Sequence, residues 1–102
     1  MALLTGVLLA GSPLLRSAER MTLEGTVGDA MCGLTHKMAG VSAKECTLGC
    51  VGMGSAFALV VGNDVYELDG KTDDLKDFAG EKVKLIGMVD GKKVQVESVA
   101  KP

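Results

Sequence analysis

Past Met21, apolar side chains recur at every second position in one short stretch after another, and that period dictates a β-rich domain. In TLEGTVG (residues 22–28), Leu23, Gly25 and Val27 alternate with Thr22, Glu24 and Thr26, the pattern of a strand buried on one face. AFALVVG (56–62) is almost wholly apolar and runs into the turn-forming Gly-Asn-Asp before VYELDG (65–70) resumes the alternation, so the two read as a hairpin. Near the C-terminus, Val83, Leu85, Gly87 and Val89 mark one strand and Val94, Val96 and Ser98 another, joined around Asp90-Gly91. Between these pairs, TDDLKDFAG (72–80) reads as one short helix. Thr72 is its expected N-cap, Leu75 with Phe78 or Ala79 forms its apolar face, and Gly80 stops it.

A chain of 102 residues, 47% of them apolar, has room for one small domain and one modest core. The alternation assigns that core to Val27, Leu59, Val61, Val65, Leu68, Leu75, Phe78, Val83, Leu85, Val94 and Val96. Its net charge of −2, with one tyrosine and two phenylalanines, leaves neither the basic surface nor the stacking platforms that nucleic acid requires.

The order strand, insertion, strand, strand, short helix, strand, strand resembles the OB-fold, a five-stranded Greek-key barrel. The expected fold is therefore mainly β, with a short helix between strands 3 and 4 and a helical Cys/His insertion, residues 29–54, between strands 1 and 2. The domain spans residues 21–102. Phrases such as ALVVGNDVYELDG and LKDFAGEKVKLIGMVDGKKVQVESV also resemble those of small exported bacterial domains of unassigned function. That resemblance implies a barrel and export, and brings no activity with it.

Export has its own signal in MALLTGVLLAGSPLL (1–15), an uncharged apolar run of signal-peptide length that is too short to cross a bilayer comfortably. Residues 1–20 are expected to be a signal peptide or membrane-anchoring segment, which puts the domain in the periplasm or otherwise outside the cytoplasm. No Lys or Arg precedes the run, and an ordinary apolar N-terminal helix is the competing reading.

The insertion DAMCGLTHKMAGVSAKECTLGC (29–50) holds all three cysteines and the one histidine of the chain. Asp29 can cap a helical turn that places Cys32 and His36 four apart. Ser42 with Glu45 makes a capping box for a second helix, placing Cys46 and Cys50 four apart. Two such faces folded together present Cys32, His36, Cys46 and Cys50 to one point, a Cys3His set suited to tetrahedral zinc. Met31, Met38 and Met53 flank these residues, which opens copper(I) as the alternative metal, although methionine as a packing residue is the blander reading. A second alternative is a disulfide between two of the cysteines in a protein-interaction module, and a third is thiol redox chemistry.

Catalysis is not the favoured reading. The chain has no C-x-x-C at a helix start, and Asp29, expected as a cap, is not free to orient a Cys-His pair. A c-type haem would need C-x-x-C-H, and an iron–sulfur cluster a fourth thiolate or second histidine. Asp73, Asp74 and Asp77 are the solvated face of the short helix and lack calcium-loop spacing.

Overall fold

The computed structural model describes residues 18–33 and 40–102. The expected signal or anchor lies outside the described residues but for its last three positions, Ala18 to Arg20, and His36 and Met38 lie outside them altogether. The described elements are β1 (Glu19–Asp29), α1 (Ala43–Gly52), β2 (Phe57–Val61), β3 (Asp64–Asp69), α2 (Thr72–Asp77), β4 (Lys82–Asp90) and β5 (Lys93–Ala100). The strands close into a five-stranded barrel in the order β1-β2-β3-β5-β4. Every pairing is antiparallel except β3 with β5, where Leu68 stands opposite Val94. Among the described residues no helix is long and apolar enough to cross a membrane.

β1 makes the closure possible, because one long strand serves two neighbours. Its first part, Glu19 to Thr26, pairs with β4, and its last part, Thr26 to Asp29, pairs with β2. The corner falls at Gly25, where a Cβ would lie 2.3 Å from the Val60 carbonyl oxygen, so only glycine lets the two backbones approach this closely.

Val27, Leu59, Leu68, Val83, Leu85, Val94 and Val96 fill the barrel as the sequence assigns them, with Leu75 of α2 joining them, and Leu23 and Phe57, outside that assigned set, are buried in the same cluster. Val61 and Phe78 pack on this cluster half-buried rather than inside it, and Val65 is likewise half-buried.

Three local expectations shift. The hairpin turns each shift by one residue: the first closes at Gly62-Asn63, one residue sooner than Gly-Asn-Asp suggests, because Asp64 joins the ladder opposite Val61, and the second sits one residue later, at Gly91-Lys92, because Asp90 remains in the ladder opposite Lys93. Thr72 is the first residue of α2 rather than its cap; Lys71, at φ 52°, holds the cap position without a side-chain hydrogen bond. Ser98 is exposed where alternation put it inside. The cause is a bulge: Ile86 faces Ser98 while Gly87 faces Val96, so Glu97 is an extra residue and the phase of β5 inverts beyond it. Val99 becomes the half-buried residue, and Glu97 takes a two-pronged ion pair from Arg20 at 2.9 and 3.1 Å.

Among its described residues the insertion is helical only in part. Its first arm, from Ala30 to Gly33, is a turn, and its second is α1. α1 lies on the barrel through Leu48 and Val51, and its first turn rests on Gly80, where a Cβ would come within 2.7 Å of the Lys44 nitrogen. Gly80 also has φ 80°, so a side chain there is excluded twice over.

Candidate metal centre

The first arm begins where β1 ends. Asp29 is buried at 2% exposure, and its Oδ2 accepts the Cys32 backbone N–H at 2.9 Å while its carbonyl accepts from Gly33 at 3.0 Å. This is the capping turn expected of Asp29, and it folds Cys32 back beneath the strand end.

The second arm is fixed by its own cap. Ser42 Oγ accepts from the Glu45 N–H at 3.1 Å, and Glu45 Oε1 accepts from the Ser42 N–H at 3.3 Å, the reciprocal pair of a capping box. With the helix phase set there, Cys46 and Cys50 share one face a turn apart and are 1% and 4% exposed. Val41 is the half-buried apolar residue packed on the three cysteines.

Backbone hydrogen bonds join the two arms. Ala30 N–H donates to the Ala56 carbonyl at 2.9 Å, and Met31 N–H donates to Ser55 Oγ at 3.1 Å. Ser55 in turn donates its N–H to the Cys50 carbonyl at 3.1 Å.

The result is a group of sulfurs around one point. Cys32 Sγ lies 3.8 Å from Cys46 Sγ and 3.6 Å from Cys50 Sγ, and the three sulfurs and an Asp29 carboxylate oxygen all lie within 4.8 Å of one another. These separations exclude a disulfide in this structure, whose bond would be about 2.05 Å, and all three cysteines are free. A tetrahedral cation with metal–sulfur bonds of about 2.3 Å holds its thiolates about 3.8 Å apart. The four side chains are thus close enough together to bind a metal ion.

The electrostatics fit a site whose protons leave only for a cation. Burial pushes the Cys32 thiol up, with the Asp29 charge adding to it. Cys50 is pushed up to about 12 because it shares a hydrogen bond with Cys32, and burial and the Asp29 carboxylate act the same way. These shifts run opposite to those of a nucleophilic cysteine, which is lowered toward neutrality by positive neighbours or a helix N-terminus.

The three cysteines of the expected ligand set therefore meet, while His36 lies outside the described residues. Asp29 is the member that sequence reasoning passed over. It was assigned to capping, and one carboxylate oxygen does cap; the same group also stands within reach of the sulfurs. The three-residue spacing from Asp29 to Cys32 was the available signal, since a turn that closes on an Asp side chain brings residue i+3 back to that carboxylate. In comparisons with known proteins, the chain matches no family model, no curated protein and no solved structure.

Proposed function

We propose that this is an exported OB-like barrel that binds a transition metal, zinc in preference to copper(I), through Cys32, Cys46 and Cys50 with a fourth donor from Asp29 or His36. The observation that carries the reading is the spacing of the buried sulfurs, 3.6 and 3.8 Å, against the roughly 3.8 Å of a tetrahedral thiolate site. Three thiolates select a soft or borderline cation over magnesium or calcium. A carboxylate or imidazole completing the set is acceptable to zinc. The parallel β3–β5 contact, with β4 returning to β1, supports the OB-like assignment. Export rests on the apolar run from Ala2 to Leu15, and fractionation with N-terminal sequencing tests it.

The site is tested by titrating anaerobically purified protein with zinc against a chromophoric competitor. Alanine at Cys32, Cys46 or Cys50 is expected to weaken binding more than about tenfold each, because water replaces a thiolate. Asp29→Asn and His36→Ala identify the fourth donor: the one that matters weakens binding and the other leaves it at the wild-type level. Wild-type protein that binds no metal, or that shows a mass deficit of two protons from a disulfide, overturns the reading.

A further inference from the structure

The large apolar residues exposed among those described are all methionines: Met21 at 39%, Met31 at 61% and Met53 at 71%. A methionine used to fill a gap is buried, and an exposed one forgoes the stabilisation that burial supplies. Met31 and Met53 therefore have no packing role that accounts for them. Their position does. Met31 precedes Cys32 on the first arm, and Met53 caps the C-terminal end of α1 by donating its N–H to the Cys50 carbonyl at 3.0 Å. Ser55 ties the two together, since it donates to the same Cys50 carbonyl and accepts the Met31 N–H. Each arm thus carries a buried thiol and, beside it, an exposed thioether.

We propose that the thioethers of Met31 and Met53 form an outer donor pair through which a soft monovalent cation, copper(I), reaches and leaves the buried thiol group. This rests on the reading that the thiols bind metal, and extends the range of the site beyond zinc. A thioether is neutral and soft, so it ligates copper(I) while leaving zinc and harder cations to water. Transfer is a ligand exchange without electron transfer: a copper–thioether bond and the S–H bond of the receiving thiol break as a copper–thiolate bond forms, the thiol proton leaves to solvent, and the oxidation state is unchanged. Cys32, at 9% the most exposed of the three thiols, is the first to receive the ion because it adjoins Met31.

The test uses the full chain under anaerobic conditions, with copper(I) supplied as its bicinchoninate complex and transfer followed by loss of the chelate colour. The Met31→Leu/Met53→Leu double variant is expected to take copper(I) about tenfold more slowly than wild type, with zinc affinity unchanged. Met21→Leu is the control, because Met21 pairs with Gly87 some eight residues down β1 from Asp29, about 26 Å along an extended strand. It is expected to behave as wild type. Wild-type transfer rates in the double variant overturn the inference while leaving the metal reading intact. Loss of zinc binding in the double variant also overturns it, by showing that the methionines support the structure. A wild-type protein that takes neither zinc nor copper(I) sinks the metal reading on which the inference stands.

Discussion

The barrel and the insertion are held together by different means. Inside the barrel, Leu59, Leu85, Val27 and Val83 are fully buried, and strand pairing closes around the whole circumference. Among its described residues the insertion has no such interior: its buried cluster is Cys32, Cys46 and Cys50 with Val41 against them, and its arms are fixed by Asp29, the capping box and the Ser55 bridge. A small domain can form one apolar core from a chain this short, and an appended loop must find another source of order. Here that source is polar caps, a group of buried sulfurs and the packing of Leu48 and Val51 of α1 on the barrel.

The comparison is sharpest at the largest effect. Leu59→Ala or Leu85→Ala should lower unfolding free energy by about 2–5 kcal/mol, measured by urea denaturation, because each empties a fully buried position that the closed ladder cannot collapse to fill. A triple Cys32→Ser/Cys46→Ser/Cys50→Ser variant should instead retain the strand signal in circular dichroism and lose hydrogen-exchange protection mainly over residues 43–52. Loss of all strand signal in that variant would break the distinction between the two regions.

A smaller effect follows from the cap. Ser42→Ala removes the acceptor for the Glu45 N–H and should cost the metal-free protein about 1 kcal/mol, read as faster amide exchange in α1 with little change in the barrel strands. Added zinc should restore much of that protection if the thiols hold α1 through the metal.

Alkaline pH separates the regions by sign. Cys50 is raised in the folded state to about 12, above the roughly 8.5 of a free thiol, so its contribution to folding is fully present below about pH 8.5 and is lost as pH climbs toward 12. Metal-free protein should therefore lose stability over that window. Zinc affinity should rise from acid toward neutral pH, since binding expels the thiol protons. The triple Ser variant should lack both dependences.

The least effect is expected at the barrel surface. Lys92 Nζ donates to Asp64 Oδ1 at 2.8 Å, and that hydrogen bond raises the lysine pKa, yet both side chains are more than half exposed. Lys92→Met should leave the denaturation midpoint and zinc affinity within error of wild type, because exposed ion pairs are screened by water and salt. A clear loss of stability would show that the Lys92 contact with the Tyr66 ring, 5.2 Å to its centroid, contributes more than its exposure implies.

Local chemistry was legible in the sequence wherever a signal lies within a few residues. Period-two alternation marked four of the strands and a continuous apolar run marked β2, Gly-Asn-Asp and Asp-Gly located the hairpin turns to within one position, and Ser42 with Glu45 announced α1 through a bond between residues three apart. The same holds for the two cysteines on α1, whose shared face follows from helical geometry alone.

What only the tertiary structure decided involves partners distant in sequence. Gly25 reads as one position on the Leu23 and Val27 face of an alternating strand until β1 is seen to change neighbours there against Val60, and Ser98 reads as an inward residue until the bulge opposite Ile86 and Gly87 inverts β5. Gly80 reads as a helix stop, and also turns out to be the seat of α1. Met31 and Met53 read as packing and stand exposed. Asp29 reads as a cap, and the meeting of the two arms surrounds that same carboxylate with three sulfurs. The physical reason is common to all of these: hydrogen-bond caps and side-chain periodicity act along the chain, whereas close approach, strand phase across a bulge and the convergence of donors depend on which segments the closed barrel brings side by side.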